Sequence, residues 1–130
     1  MIVADTSALM AMLLGEPAAT ACLSVFEREE PVLISAATVT EALIVATRRQ
    51  IGPQMKELLS SPALQIVAIT SDRARHAAEA YERWGKGNHP AGLNFGDCFS
   101  YAVAKEFACP LLYVGNDFSG TDIASALEGK

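Results

Sequence analysis

Met1-Ile2-Val3-Ala4-Asp5-Thr6-Ser7-Ala8 puts one acid and two hydroxyls directly behind an apolar run. Met1 to Ala4 reads as a buried strand, Asp5 ends it, and Thr6 to Leu14 reads as a helix. A strand that stops on an acid and turns at once into a helix is half of a strand–helix–strand unit.

The rest of the chain repeats the alternation. Gly15 and Pro17 break the first helix. Glu16 to about Arg28 reads as a second helix with Pro17 near its first turn. Val32 to Ile34 is a short apolar strand, and Ser35 to Arg49 is helical, with Val39, Leu43 and Ala46 on one side. Gly52 and Pro53 end it, and Pro53 to Ser60 is a short amphipathic helix. Gln65 to Ile69 reads as a strand, and Ser71 caps a helix to about Trp84. Gly85 to Gly96 is a loop rich in glycine, with Asn88 and Pro90. Asp97 to Phe107 is a helix, Leu111 to Val114 a strand, and Gly115-Asn116-Asp117 a turn. Ile123 to Leu127 fits a short strand or a short helix. Short, wholly apolar strands alternating with helices predict an α/β fold with a parallel sheet covered on both faces. Sites in such sheets form at the carboxyl ends of the strands, near the switch in strand order.

A length of 130 residues suits a single domain spanning 1–130. The longest apolar run, Ala8 to Leu14, is too short to span a bilayer. The N-terminal stretch lacks a basic start and is interrupted by Asp5, so neither a membrane association nor a secretory signal is expected. Cys22, Cys98 and Cys109 are odd in number and fit no zinc spacing, which suits a reducing cytoplasm. A net charge of −5 argues against binding nucleic acid through a broad basic surface. It leaves a nucleic-acid enzyme open, because carboxylates that hold a metal enter that sum while the ion does not.

Four acids stand out. Asp5 ends the first strand, where it can cap the following helix, face a cation, or do both. Glu41 lies on an apolar helix among Ala37, Thr38, Ile44 and Val45, where an unpaired Glu is unusual. Asp97 opens a helix, where it can be an ordinary cap or an ionised carboxylate favoured by the helix dipole. Asp117 follows the last strand and so shares the sheet edge with Asp5. If the four converge they repel one another, by about 4 kcal/mol for a pair about 4 Å apart at a surface-like dielectric. They then need a cation or a proton. Oxygen ligands without Cys or His favour Mg2+ or Mn2+ over zinc, and such ions typically act on phosphate esters. Thr6 and Ser7 can cap the helix or orient water and carboxylates. Asp122 lies in turn-rich sequence where a Thr-Asp cap is the simpler reading.

Other chemistries lack their signatures. There is no phosphate-cradling Gly-rich loop with Lys, no Gly-x-Ser-x-Gly and no His-Glu-x-x-His. His76 reads as a helix-face residue and His89 as a solvated loop histidine. Arg48, Arg49, Arg73, Arg75, Arg83 and Lys86 are candidate phosphate contacts.

In order along the chain, Ile2-Val3-Ala4-Asp5-Thr6-Ser7-Ala8, Thr40-Glu41, Leu93-Asn94-Phe95-Gly96-Asp97-Cys98 and Leu112-Tyr113-Val114-Gly115-Asn116-Asp117-Phe118 resemble the four motifs of PIN-domain nucleases. Their wording is similar to the VapC toxin branch of VapBC toxin–antitoxin pairs. The resemblance implies a three-layer α/β/α fold and an Mg2+- or Mn2+-dependent endoribonuclease. It matches Asp5, Glu41, Asp97 and Asp117 to the acidic positions, Thr6 or Ser7 to the hydroxyl, and Asp122 to a less constant acid. It also implies a homodimer inhibited by a partner antitoxin.

The expected function is therefore a toxin that cleaves RNA phosphodiesters, with tRNA or rRNA as candidate targets, by water activated at the metal. Asp5 and Asp97 anchor the ion, and Glu41 and Asp117 complete the site. Products would carry a 5′-phosphate and a 3′-hydroxyl. The main alternative is a non-cleaving PIN module that binds RNA or protein. A small-molecule phosphohydrolase fits less well, since no Lys lies near a strand end.

Overall fold

The computed structural model describes residues 1–127. Its elements in chain order are β1 (Ile2–Ala4), α1 (Thr6–Leu14), α2 (Ala19–Arg28), β2 (Val32–Ser35), α3 (Ala36–Arg48), α4 (Gly52–Leu59), β3 (Leu64–Val67), α5 (Ser71–Trp84), α6 (Phe95–Glu106) and β4 (Leu111–Leu112).

The strands form one parallel sheet in the order β3-β2-β1-β4. Successive strands step outward from β1 to β2 to β3, and the chain then crosses back to place β4 on the other side of β1. The strand order therefore reverses at the β1–β4 junction, and the crevice above that junction is where an open α/β sheet can hold a ligand. Strand pleating divides the core in two. Ile2, Ala4, Val32, Ile34 and Leu112 join α1 to α4 in one cluster. Val3, Leu33 and Leu111 face the opposite way, into a cluster with α5 and α6. A sheet between two helical layers is the α/β/α fold expected.

Several boundaries differ from the sequence expectation, each for a visible reason. Residues Glu16 to Ala18 form a turn, so Pro17 precedes α2 rather than entering its first turn. β3 stops at Val67 because its pairing partner β2 ends at Ser35, and Ser35 then caps α3 by accepting from Ala37 N. Thr70, not Ser71, caps α5 through Arg73 N. β4 stops at Leu112 because β1 offers no residue beyond Ala4. Val114 N instead donates to the Ser7 hydroxyl oxygen at 3.0 Å.

The 85–96 segment is less open than its glycines suggest. Leu93 N donates to Trp84 O and Lys86 N to Leu93 O, so Gly85 and Leu93 are closed against each other and buried. Past β4, Leu111 N donates to Ala124 O and Ala126 N to Leu111 O. Ser125 thus forms an isolated bridge to Leu111 and residues 126–127 turn, so the segment is neither the regular strand nor the helix that its sequence left open.

Candidate active site

Each acid of the sequence reading is placed by a different element. Asp5 caps α1 at the carboxyl end of β1, its Oδ2 accepting from Ser7 N at 3.1 Å and from the Ser7 hydroxyl at 2.7 Å. The other oxygen accepts from the buried Ser100 hydroxyl of α6 at 2.7 Å. Ser100 in turn meets Thr38 of α3 at 3.1 Å. A buried carboxylate is costly unless hydrogen-bonded, and these hydroxyls meet that cost for Asp5, which is only 4% exposed. Because Ser7 also accepts from Val114 N, the same hydroxyl ties β1 to the segment that leads into Asp117.

Asp97 was expected at the cap of α6 but lies inside its first turn. Asn94 is the cap. Asn94 Oδ1 accepts from Asp97 N at 2.9 Å, and Asp97 Oδ2 accepts from Asn94 N at 3.0 Å. This reciprocal capping box satisfies two orphan backbone donors and fixes the Asp97 side chain. Glu41 extends from α3, half-buried, with Oε1 accepting from the Thr6 hydroxyl at 2.6 Å. It fits only because residue 96 is glycine: a Cβ there would overlap Glu41 Oε2. Asp117 lies exposed on the turn after β4.

The four carboxyls are electrostatically coupled. Burial pushes Asp97 up to about 7, against the lowering effect of the Asn94 N–H, and the charges of Asp5, Asp117 and Glu41 push it further the same way. Burial also raises Glu41, opposed by the Thr6 hydrogen bond and reinforced by Asp5 and Asp117. None of the four acids forms an ion pair among the described residues. Glu41 Oε2 and Asp97 Oδ1 accept no hydrogen bond among them either.

Asp122 is not part of this group. It is held instead by Tyr101 and Lys105 of α6, the Tyr101 hydroxyl donating to it at 2.5 Å and Lys105 at 3.2 Å, with Arg83 of α5 at 3.9 Å. Partial burial pushes its pKa up, but these hydrogen bonds and charges outweigh that and hold it below the ordinary carboxylate value. His89 was expected to be solvated, but it packs edge-on against Trp84 at 4.7 Å and accepts from Ala91 N. Of the candidate phosphate contacts, Arg73 grips Glu106, Arg75 pairs with Asp72, and Arg83 lies over Trp84. Arg48, Arg49 and Lys86 form no ion pair among the described residues.

Sequence reading missed Ser100 and Asn94. Ser100 lies one helical turn beyond Asp97, a spacing that places both on one face. Asn94 three residues before an acid is a helix-start signature.

The donor set suits a hard divalent cation: all oxygen, anionic, and with no resident positive charge. Among the described residues, no three acidic, histidine or cysteine side chains are gathered tightly enough to enclose an ion by themselves. Mg2+ does not require such an enclosure, since it keeps several waters and takes one or two carboxylates.

The PIN domain family matches residues 2–124. Ribonuclease VapC30 of Mycobacterium tuberculosis is 45% identical over 127 residues, covering 95% of this chain and 97% of that protein. A ribonuclease VapC of Mycolicibacterium smegmatis is 44% identical over 128 residues, covering 95% and 98%. Among solved structures, the VapC20 toxin of Mycobacterium tuberculosis, described as cleaving the sarcin-ricin loop, superposes with a TM-score of 0.76 at 21% identity, covering 95% of this chain and 97% of that one. VapBC2 of Rickettsia felis, bound to a promoter DNA fragment, gives 0.70 at 14% identity, with 96% of each chain covered. These two support the fold. The motifs at Asp5, Glu41, Asp97 and Asp117, the α/β/α architecture and the near-full-length identity agree: the chain belongs to the PIN-domain family, alongside the VapC ribonucleases.

Proposed function

We propose that this protein is an endoribonuclease that acts as the toxin of a toxin–antitoxin pair and cleaves RNA phosphodiesters with Mg2+ or Mn2+. The observation that supports it is Asp97, buried beside three other acids with no basic side chain among the described residues to balance them. The likeness to VapC ribonucleases supplies the RNA, tRNA and rRNA being the candidate targets, and the antitoxin partner. A cytoplasmic homodimer is part of the same reading, and no helix of the described residues is long and apolar enough to cross a membrane.

Asp5 and Asp97 would hold the ion, with Glu41 and Asp117 completing its surroundings. When bound, the ion would lower the pKa of water and neutralise charge developing on the phosphate. The protein's part is positional. Ser7 and Ser100 fix both oxygens of Asp5, and Asn94 fixes Asp97 while leaving its Oδ1 for a ligand. Thr6 holds Glu41 by one oxygen, and the other lies against Gly96 without a hydrogen bond among the described residues. Glu41, held by the Thr6 hydroxyl beside the other acids, is positioned to accept a proton from attacking water.

The test is cleavage of single-stranded RNA with Mg2+ or Mn2+ by the wild type and by Asp97→Asn. Wild-type cleavage leaving 5′-phosphates, lost in Asp97→Asn with the fold intact, is expected. Full activity in Asp97→Asn would overturn the assignment. RNA binding without cleavage under either metal would favour a non-cleaving module.

A further inference from the structure

Phe95 is 77% exposed, although it lies in the first turn of α6 only two residues before Asp97. Single exposed apolar side chains need no explanation, but this ring forms a wall shared by two apolar cavities. One, of about 280 Å3, lies between α5 and α6, with Ala74, Ala78, Tyr81 and Phe99 around it. The other, of about 230 Å3, is bounded by Ile44, Thr40, Gly96 and the Glu41 carboxylate. Glu41 is the only charged side chain in either lining. Phe99 supports the ring from below, edge-on at 5.1 Å. The largely apolar surface therefore reaches from Phe95 to the Glu41 carboxylate.

An RNA strand with a phosphodiester in that cleft must place an adjoining base nearby. A broad basic surface does not supply its affinity alone, since the net charge is −5, Arg73 and Arg75 pair with acids, and only Arg48, Arg49 and Lys86 of the candidate contacts form no ion pair among the described residues. Base stacking on an aromatic ring supplies affinity without positive charge, and every base has a face to offer. A base paired in a duplex cannot make that contact.

We propose that Phe95 is the stacking platform for an unpaired base next to the cleaved phosphodiester, and that it selects single-stranded RNA there. This rests on the ribonuclease reading above. The exposed ring borders Glu41 and lines no surface with Asp5 or Asp97, so its removal spares the residues that would hold the ion.

The experiment maps the cut in a single-stranded RNA oligonucleotide with Mn2+, then compares Phe95→Ala, Phe95→Leu and Phe95→Trp. Phe95→Ala should lower kcat/KM about 10- to 100-fold, the range of one lost base–aromatic stack. Phe95→Trp should restore it, and Phe95→Leu, equally apolar but without a π face, should not. An abasic nucleotide at the base beside the cut should lower wild-type cleavage to the Phe95→Ala level and leave Phe95→Ala unchanged. Full activity in Phe95→Ala or Phe95→Leu, or an equal abasic penalty in every variant, overturns the proposal while leaving the ribonuclease reading in place. A wild-type dimer that Phe95→Ala converts to an inactive monomer overturns it in favour of a second copy of the chain on this face. No cleavage by the wild type under either metal overturns both readings together.

Discussion

Two acidic sites draw on α6 and behave in opposite ways. In the first, Asp97 meets Asp5, Glu41 and Asp117, and burial with like charge pushes it up to about 7. In the second, Asp122 meets Tyr101, Lys105 and Arg83, and its pKa is held below the ordinary value despite partial burial. The residue type is the same, and the difference is who supplies the positive charge. Asp122 has its cations built in and serves as a surface clasp between α6 and the chain after β4. The Asp97 group has none and must acquire one, as a proton or as a metal ion. An acid near a motif is thus informative only together with its partners.

The contrast can be broken in order of expected effect. Asp5→Asn or Asp97→Asn should cut RNA cleavage by about 1000-fold or more, the scale of losing several kcal/mol of charge stabilisation at the reacting phosphate, whereas Asp122→Asn should leave the rate nearly unchanged. Parallel steady-state kinetics on one RNA decide this, and an inactive Asp122→Asn of normal fold would erase the distinction between the two sites.

Gly96→Ala comes next. Its added Cβ would overlap Glu41 Oε2, and the flexible end of Glu41 must swing away. We expect a loss of about 10- to 100-fold, in the range of one displaced catalytic acid–base group, with a melting temperature within a few degrees of wild type. Wild-type activity in Gly96→Ala would show that the placement of Glu41 is unimportant. Thr6→Val, which removes the 2.6 Å hydrogen bond to Glu41, should give a smaller loss, about tenfold, and a cost of about 1 kcal/mol in urea unfolding.

The smallest effects concern pH and stability without metal. The folded pKa of Asp97, about 7, lies above its ordinary 3.8. Its favourable contribution is therefore complete below about pH 4 and is lost as pH rises through 7. Metal-free wild type should lose stability relative to Asp97→Asn between those limits, so Asp97→Asn melts higher at pH 7.5. Asp122 runs the other way: its pKa is depressed, so its contribution is present above the ordinary value and lost on acidification. Removing it should lower stability at pH 7.5, by no more than about 1 kcal/mol for so exposed a pair. Melting curves of both variants at pH 5 and 7.5 in chelator should show opposite signs. The same sign for both would contradict the electrostatic account.

Much of this was legible in the chain before folding. Strand ends and helix starts carry short-range signals, so Asp5 and Asp117 could be assigned to one sheet edge and Asp97 to a helix start from apolar runs and breakers alone. Glu41 was legible by its oddity, an acid on an apolar helix. What sequence could not supply was the partner list. Ser100 lies 95 residues from the Asp5 it supports. The capping box at Asn94 moved Asp97 from a cap into the first turn. The partners of Asp122 were not legible either, because nothing local signals that Tyr101 and Lys105 arrive from another element. The ends of β3 and β4 were overestimated for a related reason: Ala68-Ile69 and Tyr113-Val114 are apolar enough to continue a strand, but their neighbours stop first.

The most direct test of the central claim is calorimetric titration of Mn2+ into metal-free protein at pH 7.5, comparing wild type, Asp97→Asn and Asp122→Asn. The account predicts binding in wild type and Asp122→Asn, and its loss in Asp97→Asn. Equal binding by all three, or loss in Asp122→Asn alone, would contradict it.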